Sequence, residues 1–253
     1  MQTKPSTKDA LKFLPPSTSG AFLRNSILNL LRESKERKVV IITSPSGSGK
    51  STLVASYLSR EKVPTLWYNL DTSDSDPANF FSSFKAGSSM MPTLRKVCPP
   101  PFSYEHIANI EFYTEQYFNA ILGALPSTAA IVLDNYQTLP SDSLTHRIIR
   151  YLVESIRGKR RLFILSRRTV PLKITDWSVE KKILRLDWGH MKWTPHESRE
   201  FILAKEGGIP DSVVNEWVTR AGGLIAGLIL EGRDADSHPL HDDVQITPEA
   251  LGL

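Results

Sequence analysis

The sequence has 253 residues, of which 40% are hydrophobic and 23% charged, a composition typical of a globular protein of one large or two small domains. A single cysteine, Cys98, excludes an internal disulfide and favours a reducing compartment. The N-terminal residues lack the apolar stretch of a signal peptide, and the apolar run at 224–230 is too short to span a bilayer. We therefore expect a cytoplasmic protein without membrane association. The net charge of +4 neither requires nor excludes nucleic acid.

Most of the chain alternates between predicted helices and apolar strands. Residues 1–20 are polar and contain Pro15-Pro16, which predicts a flexible N-terminal arm. The segments that follow share apolar residues at helical or strand spacing: a helix over 21–32, strands over 39–42, 65–70, 129–133, 161–165 and 183–188, and helices over 103–125 and 141–157. Apolar strands alternating with helices predict an α/β fold with a parallel five-stranded sheet covered on both faces.

The pattern changes after residue 190. Thr194 and Glu197 have the spacing of a capping box, which predicts a helix to about residue 205. Further helices are predicted over 211–220 and from 224, so residues 191–232 form a small all-helical domain after a larger domain over 21–190. The polar residues 233–253 are predicted to be a tail or linker. The side chains His238, His241, Asp242 and Asp243 in that tail have no fixed spacing, and we assign them no metal.

The strand over 39–42 leads into a loop of small residues, SPSGSGKST, and then into a helical pattern. This order predicts a P-loop, because small residues let successive backbone N–H groups face a phosphate and the helix N-terminus adds partial positive charge. Lys50 would reach the β- and γ-phosphates and Ser51 would bind Mg²⁺. The predicted phosphate-binding residues are Ser46, Gly47, Ser48, Gly49, Lys50, Ser51 and Thr52. Ser44 stands where the usual pattern has its first glycine, and an ordinary strand-to-helix turn is the alternative.

A second motif, IVLDNYQTL, places Asp134 at the end of a buried strand that we expect to lie beside the P-loop strand. Asp134 is predicted to hold Mg²⁺ opposite Ser51, as a Walker B acid does; a helix cap is the alternative. The next residue is Asn135, where hydrolytic P-loop ATPases of this kind usually have a second acid. An amide can orient water but cannot accept its proton, so we predict ATP binding with slow hydrolysis or none.

A third candidate, Arg167, follows the fourth predicted strand. Ligands of open α/β sheets bind at the carboxyl ends of the strands, so Arg167 is predicted to hydrogen-bond the γ-phosphate; a solvated basic loop is the alternative. Four basic residues precede the same strand and are predicted to lie on the surface at its opposite end: Arg157, Lys159, Arg160 and Arg161.

Six segments occur in an order that resembles the nucleotide-binding module of STAND ATPases, most closely the MalT-like branch of LuxR-type transcriptional regulators. They are IITSPSGSGKSTL, LWYNLDTSDSDPANF, IVLDNYQTL, LFILSRRTVP, LRLDWGHMKWTPHESREFI and TRAGGLIAGLILEG, and the resemblance covers residues 20–232. It implies an ASCE or AAA-like P-loop NTPase that binds ATP or ADP with Mg²⁺ and has a small helical domain over the nucleotide. It also implies Walker A roles for Lys50 and Ser51, a Walker B role for Asp134 and a sensor role for Arg167. The helix around Leu23-Arg24 would lie beside the adenine.

The sequence departs from that family at three places. MalT-like proteins usually have two acids where this chain has Asp134-Asn135, and a Gly-Trp pair where it has Gly222-Gly223, which would weaken the packing of the helical domain. The sequence also stops near the point where a winged-helix domain would begin. We therefore expect a protein partner, or missing downstream sensor and DNA-binding domains, to respond to the nucleotide, and no direct DNA binding by this chain.

Several functions remain open at this point. The first is a nucleotide-dependent regulatory switch that is at most a slow ATPase. The second is an active AAA-like ATPase that acts on a macromolecular partner. A small-molecule kinase is disfavoured by the extra strand between Lys50 and Asp134 and by the lack of an Arg-rich lid. An inactive fragment of a truncated regulator is a further alternative.

Overall fold

A five-stranded parallel sheet lies at the centre of the computed structural model, which describes residues 11–22, 24–171, 180–205 and 208–230. The strands in chain order are β1 (Val39–Thr43), β2 (Thr65–Asn69), β3 (Ala130–Asp134), β4 (Arg161–Ser166) and β5 (Ile183–Leu186). Their order across the sheet is β2-β3-β4-β1-β5, and every pair is parallel. The predicted parallel sheet is confirmed. Because β4 lies between β1 and β3, the prediction that Asp134 is on a strand next to the P-loop strand is wrong.

Helices follow the strands and continue into the C-terminal part. They are α1 (Asn25–Glu33), α2 (Lys50–Arg60), α3 (Pro77–Ser88), α4 (Ile110–Ala124), α5 (Thr145–Ser155), α6 (Trp188–Met191), α7 (Pro195–Lys205), α8 (Asp211–Ala221) and α9 (residues 225–230). The helix predicted over 103–125 divides into a 3₁₀ turn, Tyr104–Asn109, and α4, because the side chain of Asn109 accepts a hydrogen bond from the Phe112 amide and starts a new helix. Within the described ranges, none of the helices combines the length and apolarity needed to cross a bilayer.

Both faces of the sheet are covered, as the apolar strands predicted. On one face Ile41, Leu133 and Ile164 pack with residues of α3, α4 and α5. On the other face Val40 and Phe163 pack with residues of α1 and α2. Successive strand residues alternate between these two cores, which is the period-two geometry of a strand buried on both sides.

Arg161, the first residue of β4, is buried, so its predicted position on the surface is wrong. Its side chain is 7% exposed and donates hydrogen bonds to the Leu31 carbonyl at 2.9 Å and to the Tyr57 hydroxyl at 3.0 Å. The guanidinium therefore donates to a carbonyl near the C-terminus of α1, where helix carbonyls lack intrahelical donors. Arg157 and Lys159 are exposed at this end of the sheet, as predicted.

Residues 11–14 pack against the sheet domain. This differs from the prediction that residues 1–20 form a flexible arm. Phe13 stacks on Tyr68 with ring centroids 4.9 Å apart and is buried in the core beneath α3. A Cβ on Gly87 would lie 2.0 Å from the Phe13 ring, so glycine is needed there. The Lys12 carbonyl accepts a hydrogen bond from the Asn69 backbone amide, and the Lys12 ammonium pairs with the fully buried Asp74 at 2.9 Å. Residues 1–10 and the proposed tail at 233–253 lie outside the described residues.

The C-terminal helices have their own core, formed by Trp193, Phe201, Ile202, Val214, Trp217, Ala221 and Leu228. The predicted capping box begins α7: the Glu197 amide donates to the Thr194 hydroxyl, and Glu197 accepts from the Thr194 amide. Gly223 has φ +91°, and a Cβ there would lie 2.4 Å from the Lys192 side chain. Glycine therefore lets the backbones at 223 and 193 approach, and the Trp193 amide donates to the Gly223 carbonyl at 3.0 Å. The weaker packing expected from the missing tryptophan stays a prediction.

We predict that Phe13→Ala lowers the free energy of unfolding by about 3 kcal/mol, since it leaves a cavity between Tyr68 and α3. Leu14→Ala is the matched control, because Leu14 is 49% exposed, and it should change stability by less than about 0.5 kcal/mol. Urea denaturation of the three proteins measures both values. Equal, small effects of the two substitutions would show that residues 11–14 do not pack in solution.

Candidate nucleotide-binding site

The loop between β1 and α2 has a backbone shape that depends on two glycines. Gly47 and Gly49 have φ of +73° and +81°, a left-handed conformation that residues with a Cβ rarely adopt. The loop is fixed at its start, where the Ser44 amide donates to the Ser166 carbonyl of β4 at 3.1 Å. The buried hydroxyls of Ser44 and Ser48 lie 2.7 Å apart and hold the turn closed. Ser44, in place of the usual first glycine, thus has a structural contact.

The amides of residues 47–52 lack hydrogen-bond acceptors in the described structure. Gly49 precedes α2 without a side-chain cap. Within the described part of the chain, no backbone N–H of residues 47–52 donates a hydrogen bond. Unsatisfied donors at the start of an 11-residue helix, together with the helix dipole, suit a phosphate group. The predicted residues Gly47, Ser48, Gly49, Lys50, Ser51 and Thr52 lie in this loop and in the first turn of α2, and Ser46 is part of the same loop.

Lys50 crosses the cradle. Its side chain is 7% exposed, and its ammonium donates to the carbonyls of Ser44 at 3.0 Å and Pro45 at 3.1 Å. Burial lowers the pKa of Lys50 to about 8, with Asp134 opposing this shift and Arg167 adding to it. Lys50, Asp134 and Arg167 are therefore within electrostatic reach of one another. A phosphate beside Lys50 would favour its charged form.

Asp134 ends β3 and is 4% exposed. One carboxylate oxygen accepts a hydrogen bond from the Asn135 amide at 2.8 Å, and the other has no hydrogen-bond partner among the residues that the structure describes. The Ser51 hydroxyl is likewise without one in those ranges. A carboxylate and a hydroxyl suit Mg²⁺, which takes its remaining ligands from phosphate oxygens and water. The described residues hold no cluster of three or more His, Cys, Asp or Glu side chains, and the His238 to Asp243 cluster lies outside them.

Gln137 connects Asn135 to Arg167, a role that the sequence did not reveal. Its amide nitrogen donates to the Asn135 side-chain oxygen at 3.4 Å, and its oxygen accepts from the Arg167 amide at 2.9 Å. Asn135 has φ +60°, a conformation that asparagine tolerates better than most residues. The Arg167 guanidinium is exposed and has no hydrogen bond to the described residues. The only signal for Gln137 was its position inside the IVLDNYQTL motif.

A cavity of about 470 Å³ adjoins the loop and lies between the sheet domain and the C-terminal helices. Ser48, Gly49 and Thr52 line one side, and four aromatic side chains contribute to the rest: Phe22, Trp193, Phe201 and Trp217. Ser56 also lines the cavity, and its buried hydroxyl has no hydrogen-bond partner in the described residues. An apolar, aromatic cleft with an unsatisfied polar group suits a flat heteroaromatic ring such as a nucleotide base.

Arg24 joins the two walls of this cavity. Its guanidinium donates to the Met191 carbonyl at 2.6 Å, pairs with Glu197 at 3.0 Å and lies 5.3 Å from the centre of the Trp193 ring. Arg24 is 5% exposed, so this clamp is largely shielded from water. The sequence pointed to Arg24 only as a neighbour of the adenine and to Glu197 only as a helix cap. Leu23 lies outside the described residues.

The loop between β1 and α2, which we call the phosphate loop, also contacts α9 directly. The Ala226 amide donates to the Gly47 carbonyl at 3.1 Å. A Cβ on Gly47 would lie 2.6 Å from the Ala226 Cβ, and one on Gly49 would lie 3.3 Å from Ile225. The last described helix therefore rests on the part of the loop that would hold a phosphate.

No protein-family model matches the sequence. The HTH-type transcriptional regulator MalT of Vibrio cholerae is 25% identical over 193 residues, which are 74% of this chain and 20% of MalT. MalT of Serratia proteamaculans is 26% identical over 188 residues, with coverage of 74% and 20%. The chain therefore spans about a fifth of the length of these relatives.

Solved structures show the fold. A signal transduction ATPase with numerous domains from Pyrococcus horikoshii, which has a tetratricopeptide repeat sensor, gives a TM-score of 0.62 at 16% identity and covers 92% of this chain and 32% of its own. A Walker-type ATPase of Pyrococcus abyssi gives 0.60 at 14% identity, with coverage of 89% and 71%. Together, the fold and the sequence similarity support a MalT-like P-loop NTPase module.

Proposed function

We propose that this chain is an ATP/ADP-binding regulatory switch module that binds Mg-ATP and hydrolyses it slowly or not at all. The observation that carries the proposal is the contact of α9 with the phosphate loop, through Ala226 and Gly47. A phosphate bound by the loop amides would alter the surroundings of that hydrogen bond. The state of the nucleotide would thus act on the helical domain directly.

In this proposal the loop amides of residues 47–52 bind the phosphates and Lys50 neutralises the β- and γ-phosphates. Ser51 and Asp134 hold Mg²⁺, which supplies additional positive charge at the phosphates. Arg167 contacts the γ-phosphate, supported by its proximity to Lys50 and its unpaired guanidinium. The aromatic cavity binds the base, and Ser56 offers it a hydrogen bond.

Slow hydrolysis follows from Asn135. A water near the γ-phosphate needs a group that accepts its proton, and the amide of Asn135 cannot do so at neutral pH. Gln137 holds Asn135 and the start of the Arg167 segment in one hydrogen-bonded chain. Such a chain can report the presence of the γ-phosphate without breaking its bond.

A switch needs a partner that responds to it. The relatives are HTH-type transcriptional regulators about five times as long as the matched segment. We infer that downstream sensor and DNA-binding domains, or a separate protein, respond to the position of α9, and that the module works in the cytoplasm. The nucleotide can shift that position only by as much as its affinities for the two arrangements differ.

We predict that Lys50→Ala weakens ATP binding by roughly 10- to 100-fold, because charge-assisted hydrogen bonds to the phosphates are lost. Lys85→Ala is the control, since Lys85 is exposed on α3, and it should bind ATP as the wild type does. Isothermal titration with Mg-ATP measures the affinities. Equal affinity of Lys50→Ala and wild type would rule out the proposed site.

We predict that Asn135→Asp raises the ATP turnover number at least about tenfold, because a carboxylate can accept the proton of an attacking water. Aspartate tolerates the left-handed backbone at this position, so the fold should be kept. Gln116→Glu, an exposed substitution on α4 with the same change in charge, is the control. Phosphate release measures turnover. Rapid turnover by the wild type, without a gain in Asn135→Asp, would support an active AAA-like ATPase instead.

A further inference from the structure

Positive charge is concentrated where the strands begin, at the end of the sheet opposite the phosphate loop. We call it the basic edge and define it as residues 33–38, 60–62, 157–160 and 180–185. These segments contain eleven Lys or Arg and four Glu residues, a formal charge of +7, whereas the whole chain carries +4. The remainder of the chain is therefore net negative, and the charge of the molecule is strongly polarised.

Backbone hydrogen bonds hold the segments of the basic edge side by side. The Leu162 amide donates to the Lys38 carbonyl at 2.8 Å, and the Val39 amide donates to the Lys182 carbonyl at 3.1 Å. Glu61 pairs with Lys35 and so fixes the 60–62 turn beside residues 33–38. Neighbouring strands are about 4.8 Å apart, so the backbone positions of the cations that precede β4, β1 and β5 are regularly spaced.

Most carboxylates of the basic edge form ion pairs, whereas several of its cations do not. Glu61, Glu36 and Glu180 form ion pairs with Lys35, Lys38 and Arg185. Four exposed cations make no side-chain hydrogen bond or ion pair with any residue in the described ranges: Arg60, Lys62, Lys159 and Lys182. The surplus charge therefore faces solvent.

A row of cations at regularly spaced backbone positions is complementary to a polyanion with closely spaced charges. Duplex nucleic acid has about one phosphate charge per 1.7 Å of its axis. Single strands are usually bound by stacking on aromatic side chains, and membranes by inserted apolar ones. The large hydrophobic side chains that are exposed in the described residues, such as Tyr104 and Phe112, all lie outside the basic edge. The chemistry of this surface therefore favours a duplex backbone.

We propose that the basic edge binds the phosphate backbone of duplex DNA without regard to its sequence. Contacts to phosphates carry no sequence information, so this binding is independent of base sequence. The proposal departs from our expectation that this chain does not bind DNA directly. The phosphate loop follows the carboxyl end of β1, whereas the basic edge lies at the amino ends of the parallel strands. Duplex DNA and nucleotide should therefore bind at the same time.

The test is the affinity of the whole chain for a short fluorescent DNA duplex, measured by anisotropy at about 50 to 200 mM salt. The variant Lys62→Glu, Lys159→Glu, Lys182→Glu reverses three unpaired cations of the basic edge. Its control is Lys85→Glu, Arg95→Glu, Lys96→Glu, an equal change in charge at exposed positions elsewhere. We expect the edge variant to bind at least about tenfold more weakly and its salt slope to fall by two to three, while the control stays within about threefold of wild type.

A duplex of scrambled sequence should bind equally well. Three outcomes would overturn the proposal: no binding by the wild type at low salt, an equal loss in the control variant, or tighter binding to phosphatidylserine vesicles than to the duplex. If the Glu variant fails to keep the wild-type melting temperature, the corresponding Lys→Gln variant replaces it, with a smaller loss expected in the same direction.

Discussion

The left-handed backbone at Gly47 and Gly49 is the constraint on which the candidate site depends. It shapes a loop whose amides donate no hydrogen bond to the described residues, and such amides suit an anion. The same glycines leave room for α9, since a Cβ on Gly47 would lie 2.6 Å from the Ala226 side chain. Phosphate binding and contact with the helical domain therefore rest on the same two residues. This shared requirement is why we regard the loop and α9 as one unit.

The electrostatics around the loop point in the same direction. Burial lowers the pKa of Lys50 to about 8, and Arg167 contributes to this shift, so the site carries positive charge that is poorly solvated. A polyphosphate with Mg²⁺ would compensate it. In the function that we propose, Asp134 holds the metal and Asn135 offers no base to a water. Such a site would be better suited to retaining a nucleotide than to hydrolysing it.

Local features of this protein were predictable from sequence, and long-range ones were not. The apolar strands, the glycine-rich loop, the capping box at Thr194 and the position of Asp134 at the end of its strand each depend on residues close in the chain. The order of the strands across the sheet does not, so the neighbour of the strand that ends at Asp134 was predicted wrongly. The Arg24–Glu197 pair joins residues 173 positions apart, and nothing in either neighbourhood indicates the other. Phe13 lies in a polar segment, and its burial depends on distant residues, namely Tyr68 and Gly87. Arg161 was misjudged because it belongs to a basic run whose other members are more exposed.

The claim that matters most is that the nucleotide in the loop controls α9. The most direct measurement is hydrogen exchange of the Ala226 amide in the chain saturated with ADP and with Mg-ATP. Because this amide donates to Gly47, we predict exchange rates that differ at least about fivefold between the two states, a coupling of about 1 kcal/mol or more. Identical exchange with both nucleotides bound would contradict a switch transmitted through this contact.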